Sequence, residues 1–172
     1  MRLSSATLGA LAESVARPAY DRDARGVGIV HFGIGAFHRS HMAAYTDDAM
    51  AAAGGDWRIL GVSLRSASVR DQMVPQDGLY TLVERSAAGS KARIIGAVAD
   101  VLVASEERKR LVATLAAPTT HIVSFTITEK GYCRAPDGSL DLALADDRSA
   151  YSYLAEAYAR WLSELSGERY RL

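Results

Sequence analysis

The sequence predicts a three-layer α/β fold, in which helices cover both faces of a mostly parallel sheet that carries an antiparallel hairpin. Three observations predict this class. Short apolar runs of strand length recur along the chain, and segments with helical periodicity lie between them. An Asp-Gly turn precedes two alternating runs, which is typical of a hairpin region. The 172 residues suffice for one domain to bury a core without disulfides.

Composition limits the classes of ligand and location. The chain has 20 Lys and Arg residues and 20 Asp and Glu residues, so its formal charge is zero. There is no basic field to attract nucleic acid or an anionic membrane, and a small-molecule ligand is expected. The apolar runs are far shorter than the ~20 residues that span a bilayer. Polar residues interrupt the amino-terminal segment, and Cys133 is the single cysteine, so we expect a cytoplasmic protein.

The beginning of the chain predicts a helical lead-in and a buried strand. Residues 1–20 form the lead-in, within which Ser5 to Ala16 has the pattern of a short amphipathic helix. Val27 to Phe32 is a short apolar run bounded by glycines, which is typical of a strand buried on both faces. We expect the α/β core, residues 27–147, to begin with this strand.

A helix and a second strand are predicted next. Apolar residues recur at spacings of three and four between Phe37 and Ala53, before Gly54-Gly55 ends the segment. The predicted inward face of this helix is Met42, Tyr45, Ala49 and Ala52. The apolar run from Trp57 to Leu64 then predicts a strand, which completes a βαβ unit.

The hairpin is predicted from the region that follows the Asp77-Gly78 turn. One alternating run extends from Tyr80 to Glu84 and a second from Ala92 to Val98, with a polar Ala-Gly-Ser turn between them. We expect an antiparallel pair that is either inserted into the parallel sheet or flanks it.

Two helices and a strand are predicted in the remainder of the chain. Ser105 is expected to cap a helix in which Leu111 and Leu115 face inward. The run from His121 to Thr128 is rich in β-branched residues and predicts a strand. Residues 149–166 form the predicted terminal helix, which ends at Gly167. Its expected inward face is Tyr151, Leu154, Tyr158, Trp161 and Leu165.

The most informative motif is Gly33-Ile34-Gly35, which follows the first strand and opens the first helix. In a βαβ unit this pattern indicates a Rossmann-like loop that binds the diphosphate of a dinucleotide. The first glycine would allow a sharp bend, and the second would let phosphates approach the backbone. The amides of Phe37 and His38 would then donate to them. The same pattern also occurs at turns that bind no ligand, so the spacing alone leaves both interpretations open.

Two positions depart from the usual dinucleotide pattern. His38 occupies the place of the third glycine, which normally permits close packing of helix on strand, so we expect the helix to stand further off or to tilt. The end of the second strand reads Ser63-Leu64-Arg65 and has no acidic residue to bind a ribose hydroxyl. Arg65 could contact adenine or a 2′-phosphate, so NADP is left open beside NAD, or it is simply a solvated arginine.

Four sequence blocks together resemble the mannitol dehydrogenase family of long-chain polyol dehydrogenases, which includes fructuronate reductase (mannonate oxidoreductase). The blocks are GIVHFGIGAFHRSH, DWRILGVSLRS, PQDGLYTLVER and VSFTITEKGYC, in this order. The resemblance covers about residues 1–141. The phosphate loop of that family reads G-x-G-x-F-H-R, so His38 and Arg39 match the family's own variant.

The resemblance implies a Rossmann-like, three-layer domain that binds NAD(H). It also implies hydride exchange with a polyol or sugar acid, of the mannitol/fructose or mannonate/fructuronate type. The implied cofactor-binding residues are Gly33, Gly35, Ala36, Phe37, His38, Arg39, Ser63, Leu64 and Arg65. In the family the catalytic lysine lies beyond these blocks, in a substrate domain. We therefore expect residues 1–172 to be a single cofactor-binding domain that is truncated before the substrate domain and is inactive alone.

Glu129 is the candidate catalytic position within the chain. It follows the predicted His121 strand, at the sheet edge where ligands bind in open α/β folds. The resemblance implies a role in proton passage, whereas the simpler alternative is a carboxylate paired with Lys130. Lys130 is given no catalytic role, and Cys133 is expected to be a buried or semi-buried thiol.

No metal site is predicted. His38 and His41 lie three residues apart, but the sequence offers no third ligand with suitable spacing. The chain has two further histidines, His31 and His121, and all four are expected to be packing or helix-start residues.

A different class of function is the alternative hypothesis. The chain could be a non-catalytic nucleotide-binding or protein-interaction module, whose exposed sheet edge after the His121 strand pairs with another chain. Possible partners are a separate chain that carries the substrate domain, or a second copy that forms a homodimer through this edge.

Overall fold

A computed structural model of the chain describes residues 2–126, 135, 137–139 and 150–169. The strands are Val27–Phe32 (β1), Arg58–Ser63 (β2), Tyr80–Ser86 (β3), Gly89–Ile95 (β4), Val98–Val103 (β5) and Ile122–Phe125 (β6). The α-helices are Ala36–Ser40 (α1), Met42–Ala53 (α2), Ser68–Met73 (α3), Arg108–Ala116 (α4) and Ala150–Arg169 (α5). Two 3₁₀ helices span Ser5–Ala10 and Val74–Gln76.

The described strands form one parallel sheet and one separate hairpin. The parallel sheet has the order β5-β2-β1-β6, and β3 and β4 form an antiparallel pair. From β1 the chain runs outward through β2 and β5, and it then crosses over to place β6 on the other side of β1. The direction of winding therefore reverses between β1 and β6, which is where open α/β sheets bind their ligands.

Helices cover both faces of the parallel sheet, which confirms the predicted three-layer α/β class. One core contains Val30, Phe32, Leu60, Val62 and Leu102 from the strands, with Leu111, Val112, Ala116, Tyr153 and Ala157 from α4 and α5. The other contains Ile29, Ile59, Val98 and Val101 from the strands, with Ala43, Ala44, Met50 and Met73 from α2 and α3. Because both faces are buried, the strands read as continuous apolar runs.

The lead-in is less helical than predicted. Its 3₁₀ helix ends at Ala10 and buries no residue. Further on, Ala16 is extended and forms an isolated parallel bridge with Arg93. The predicted α-helix over Ser5–Ala16 is therefore wrong. A short amphipathic segment with no apolar surface to cover lacks the tertiary contacts that stabilise most protein helices.

The segment from Phe37 to Ala53 is two helices rather than the predicted one. The break lies at His41, whose backbone has φ −120° and ψ −86°. The predicted inward face is also wrong, since Tyr45 is 66% exposed. The buried residues of α2 are Ala43, Ala44, Asp47 and Met50. Alanines occupy both faces of this helix, so apolar spacing alone did not distinguish them.

Asp47 is a buried carboxylate that the sequence pattern does not reveal. It is 5% exposed and accepts hydrogen bonds from the Tyr20 hydroxyl at 2.7 Å and the Gly96 amide at 2.8 Å. Burial raises the pKa of the Asp47 carboxyl, while the two hydrogen bonds oppose that shift. The two hydrogen bonds offset the cost of burying the Asp47 carboxylate. They also link α2 to the lead-in and to Gly96, directly after β4.

The hairpin flanks the parallel sheet as a separate two-stranded unit, and its second strand begins and ends three residues earlier than predicted. β4 ends at Ile95, and Val98 begins β5 of the parallel sheet. The chain changes direction at Gly96, where an added Cβ would lie 2.7 Å from the Pro18 ring. The predicted run from Ala92 to Val98 therefore joined the end of one strand to the start of another.

The helix predicted after Ser105 and the strand predicted from His121 both form, but their boundaries differ from the predicted ones. The N-cap position of α4 is Glu107 rather than the predicted Ser105, and the Glu107 side chain makes no capping hydrogen bond. Leu111 is buried as expected. β6 is described from Ile122 to Phe125, and the last predicted strand residues, 127 and 128, lie outside the described residues.

The terminal helix buries a different face from the predicted one. Tyr153 and Ala157 are 3% and 5% exposed, whereas Tyr158 and Trp161 are 60% and 45% exposed. The helix also continues past Gly167 to Arg169. Contacts with α4 set the buried face, because the Arg108 guanidinium lies 4.7 Å from the Tyr153 ring centroid. Within the described residues, no helix combines the length and apolar character that a bilayer crossing requires.

Arg22 fixes the lead-in to the rest of the domain. Its side chain is 8% exposed. The guanidinium donates to the Gly96 carbonyl at 3.0 Å, the Ser5 hydroxyl at 3.1 Å and the Asp77 carbonyl. Burial, followed by the neighbouring Arg58, lowers the pKa of Arg22. The planar guanidinium thus spans acceptors from three separate segments.

His31 of β1 and His38 of α1 form what we call the imidazole stack. Their ring centroids lie 3.6 Å apart at an interplanar angle of 18°, and the residues are 2% and 1% exposed. Burial lowers the pKa of His31 to about 4. Burial, followed by the charges of His31 and Arg39, lowers the pKa of His38 to about 3. Both rings are therefore neutral at pH 7.

Replacing Arg22 with alanine is expected to lower the free energy of unfolding by about 2–4 kcal/mol, because several buried acceptors lose a charged donor. Urea unfolding measures the change. Arg85→Ala is the control, since Arg85 is an exposed arginine of β3. We expect that control to stay within about 0.5 kcal/mol of the parent. Equal effects of the two substitutions would contradict the assigned role.

Acid is expected to destabilise the fold through the imidazole stack. Between the folded pKa values and the unfolded value of about 6.5, the unfolded chain binds more protons, so stability falls as pH decreases. From about pH 7 to about pH 5 each histidine should contribute a loss on the order of 2 kcal/mol. His38→Phe removes one titrating group. The free energy of unfolding of this variant, measured with urea, should therefore decrease less steeply between about pH 7 and about pH 5 than that of the parent. The same pH dependence in both proteins would refute this.

Candidate functional site

The loop between β1 and α1 begins with a glycine that no other residue can replace easily. Gly33 has φ +92°, in the left-handed region, and an added Cβ would lie 2.4 Å from the Thr126 carbonyl oxygen. Its amide donates to the Val62 carbonyl at 2.8 Å. The loop therefore leaves the sheet in close contact with the end of β6 and bonded to β2.

The second glycine of the loop faces open space. An added Cβ at Gly35 would meet only the Gly33 oxygen, at 3.9 Å. Gly35, Ala36 and Phe37 are all exposed. This corner has the surface that the sequence predicts for approaching phosphates, because only the missing Cβ keeps it open.

Three consecutive amides follow at this corner. Gly35 is the residue that precedes α1, and the first hydrogen bond of the helix runs from the Arg39 amide to the Gly35 carbonyl at 3.1 Å. The amides of Ala36, Phe37 and His38 belong to the first turn, so they have no carbonyl partner within the helix. We call Gly33 to Arg39 the cradle, since its backbone donors converge at an open surface.

The side chain of His38 does not line the cradle. Its ring lies in the imidazole stack, beneath the first turn of α1. This arrangement explains how a large residue takes the place of the third glycine, since the stacked rings of His38 and His31 fill the space between α1 and β1.

Arg39, the last residue of the cradle, places a positive charge near Gly35. Its Nε donates to the Gly35 carbonyl at 3.4 Å. The guanidinium lies 5.9 Å from the Tyr80 ring centroid, and the Tyr80 hydroxyl donates to the Arg39 carbonyl. Burial raises the pKa of Tyr80, so the hydroxyl keeps its proton. Tyr80 was not predicted as a site residue, because this contact links residues 41 positions apart.

The end of β2 lies at the same edge of the sheet as the cradle, because β1 and β2 are parallel neighbours. Ser63 is half-buried and its carbonyl accepts from the Ala104 amide at 2.8 Å. Leu64 packs against the core, and Arg65 is exposed. The structure thus brings the two predicted groups of cofactor residues to one edge.

No carboxylate occupies the segment 63–68 that joins β2 to α3. The nearest acidic residues in the neighbouring helix and turn, Asp71 and Glu106, both pair with Arg70. In place of the acidic residue that is usual in dinucleotide-binding folds, this segment carries Arg65 and three serines, Ser63, Ser66 and Ser68.

Three further predicted positions lie in a segment that the structure does not describe. Glu129, Lys130 and Cys133 lie outside the described residues, so the role assigned to Glu129 stays a prediction. Among the residues that the structure does describe, no group of three or more potential ligands is placed to hold a metal ion.

A polar cleft of about 450 Å³ lies at the opposite end of the sheet from the cradle. Its lining includes Arg22, Arg58 and Asp77. Both guanidiniums donate to backbone carbonyls, Arg22 to Gly96 and Arg58 to Val98. These donors have acceptors, apart from the buried Arg58 Nε, which has no hydrogen-bond partner among the described residues. We interpret the cleft as a consequence of how the lead-in packs.

Comparison with known proteins gives consistent matches. A family model described as the mannitol dehydrogenase Rossmann domain matches residues 27–166. The mannitol 2-dehydrogenase of Pyrenophora tritici-repentis is 41% identical over 93% of this chain and 31% of its own length. That of Pyricularia oryzae is 48% identical over 74% of this chain and 26% of its own length. The chain thus spans about a third or less of these curated relatives.

Two solved structures share the fold. The Pseudomonas fluorescens mannitol 2-dehydrogenase, in a ternary complex with NAD and D-mannitol, superimposes with a TM-score of 0.84 and 36% identity. The match covers 95% of this chain and 36% of that one. A D-sorbitol dehydrogenase in substrate-free form gives a TM-score of 0.83 at 34% identity, with 95% and 37% covered. The chain therefore belongs to the mannitol dehydrogenase family, and residues 27–166 match the Rossmann domain of that family.

Proposed function

We propose that the cradle holds the diphosphate of NAD(H) in an oxidoreductase that exchanges hydride with a polyol or sugar acid. The observation that carries this proposal is the open surface at Gly35, followed by three amides with no partner within the helix. When bound, the nicotinamide would supply the hydride chemistry. Mannitol/fructose and mannonate/fructuronate are the substrate pairs that the family includes.

The backbone of the cradle accounts for the affinity expected for a diphosphate. Amides at the start of a helix carry partial positive charge and point outward, so they favour an anion. The guanidinium of Arg39, held near Gly35, adds a full positive charge. Because these groups belong to a loop fixed at Gly33, they need little reorganisation on binding, which favours affinity.

The relatives support the same ligand. The Pseudomonas fluorescens enzyme, which is 36% identical, was solved with NAD and D-mannitol. Its match covers 95% of this chain. For this chain, NAD binding and a polyol substrate are the proposals that follow from that similarity.

The adenosine end of the cofactor is proposed to lie against Ser63, Leu64 and Arg65. With no carboxylate in residues 63–68, nothing there repels a 2′-phosphate, and Arg65 is an exposed cation. We therefore propose NAD as the cofactor, with weak discrimination against NADP. Glu129 is proposed to assist proton passage near the substrate.

Binding is tested by NADH titration of the 172-residue chain, followed by protein fluorescence. Gly35→Ala puts a methyl group on the open surface of the cradle, so we expect at least about a tenfold loss of affinity. The fold should remain intact, because the added Cβ has no close neighbour. Gly9→Ala is the matched control, since an added Cβ there also meets nothing within 4 Å.

Two results would contradict the proposed binding of NAD(H) in the cradle. Equal NADH affinity of the parent chain and Gly35→Ala would show that the diphosphate does not lie in the cradle. No NADH binding by the parent chain would favour the interaction module predicted as the alternative. Titration with NADPH tests the role of Arg65, and an affinity within about tenfold of that for NADH is expected. Incubation with NAD and either mannitol or mannonate then tests the substrate class.

A further inference from the structure

The imidazole stack connects β6 to the cradle through direct contacts. The Nδ1 of His31 lies 2.8 Å from the Ser124 hydroxyl, and its Nε2 lies 3.1 Å from the Thr126 hydroxyl. Both hydroxyls come from β6 or the residue directly after it. Because a hydroxyl can donate or accept, both ring nitrogens of the neutral His31 have a partner.

His38 is held in a different way. Both of its ring nitrogens are buried without a hydrogen-bond partner in the described part of the chain. Face-to-face contact with His31, rather than hydrogen bonding, therefore fixes the ring. Leaving these polar atoms unpaired costs stability, so a smaller apolar residue would be expected here if the position served only to fill the core.

The position of His38 in the chain links this packing to ligand binding. Its backbone amide belongs to the first turn of α1, directly after the exposed Ala36 and Phe37, and its ring lies between that turn and β1. The same end of β6 also contacts the loop at Gly33 through the Thr126 carbonyl. The cradle thus contacts the end of β6 directly at Gly33 and indirectly at His38, through the His31 ring.

We propose that His38 is a positioning residue for the cofactor diphosphate, whose ring, stacked on His31, fixes the direction of the cradle amides. This inference rests on the proposed function, because it assumes that the cradle binds NAD(H). A purely structural ring would change stability and leave the affinity of the folded protein for NADH unchanged.

The test compares two substitutions with a surface control in the 172-residue chain. His38→Ala removes the ring, His38→Phe keeps a planar ring without nitrogens, and Tyr45→Ala changes an exposed residue of α2. NADH titration well below the unfolding temperature should show at least about a tenfold loss of affinity for His38→Ala. We expect His38→Phe to stay within about threefold of the parent, and Tyr45→Ala to match it.

A second measurement does not depend on the cofactor. Amide hydrogen exchange of Arg39 and His41, which donate to the Gly35 and Phe37 carbonyls at 3.1 Å, should be faster in His38→Ala than in the parent or in His38→Phe when it is measured without NADH. If the parent chain fails to bind NADH, the proposed function fails, and exchange alone decides whether the ring orders the cradle.

Two results would overturn the proposal. One is a His38→Ala chain that binds NADH as tightly as the parent, and the other is a His38→Phe chain that binds as weakly as His38→Ala. If His38→Ala does not fold, the double substitution Ser124→Ala with Thr126→Val decides the question, since it releases His31 and retains both rings. An about threefold loss of NADH affinity is expected there, and an unchanged affinity would also overturn the proposal.

Discussion

The contact between Gly33 and the Thr126 carbonyl is the constraint on which the rest of the site depends. An added Cβ at residue 33 would lie 2.4 Å from that oxygen, so the chain turns out of β1 directly against the end of β6. The turn then leads into Gly35, where the surface is open, and into the first amides of α1. One steric requirement thus places backbone donors at the edge of the sheet where the winding direction reverses.

The domain stabilises this edge with polar groups buried far from it. Arg22 joins Ser5, Gly96 and Asp77 at the opposite end of the sheet, and Asp47 accepts from Tyr20 and Gly96. Each group is costly to bury alone and contributes stability only when its partners are in place. These bonds fix the lead-in and the hairpin against α2, so the helix that follows the cradle has a defined position.

The features that the sequence predicts correctly are those that depend on residues close together in the chain. Continuous apolar runs identified β1 and β2, and the glycine pair between a strand and a helix identified the cradle. The predictions failed where distant contacts decide the outcome. The inward faces of α2 and α5 were wrong because alanines and aromatic residues occupy several faces of each helix. The true faces are set by the positions of Asp47 and Tyr153 against other elements.

The stack of His31 on His38 illustrates the same limit within the site. The sequence shows that a histidine replaces the third glycine, and it predicts that the helix must stand further from the strand. It cannot show that the intervening space is filled by a second histidine, or that Ser124 and Thr126 orient that ring. Those partners are 93 and 95 residues away from His31, and no local pattern encodes the pairing.

The most direct test of the central claim is a titration of the isotopically labelled chain with NAD, followed through the backbone amide resonances. We expect the largest changes in amide chemical shift at Gly35, Ala36, Phe37 and His38, and little change in the hairpin from Tyr80 to Ile95. Changes centred on the Arg22 cleft, or an undisturbed set of cradle amides at saturating NAD, would contradict that claim.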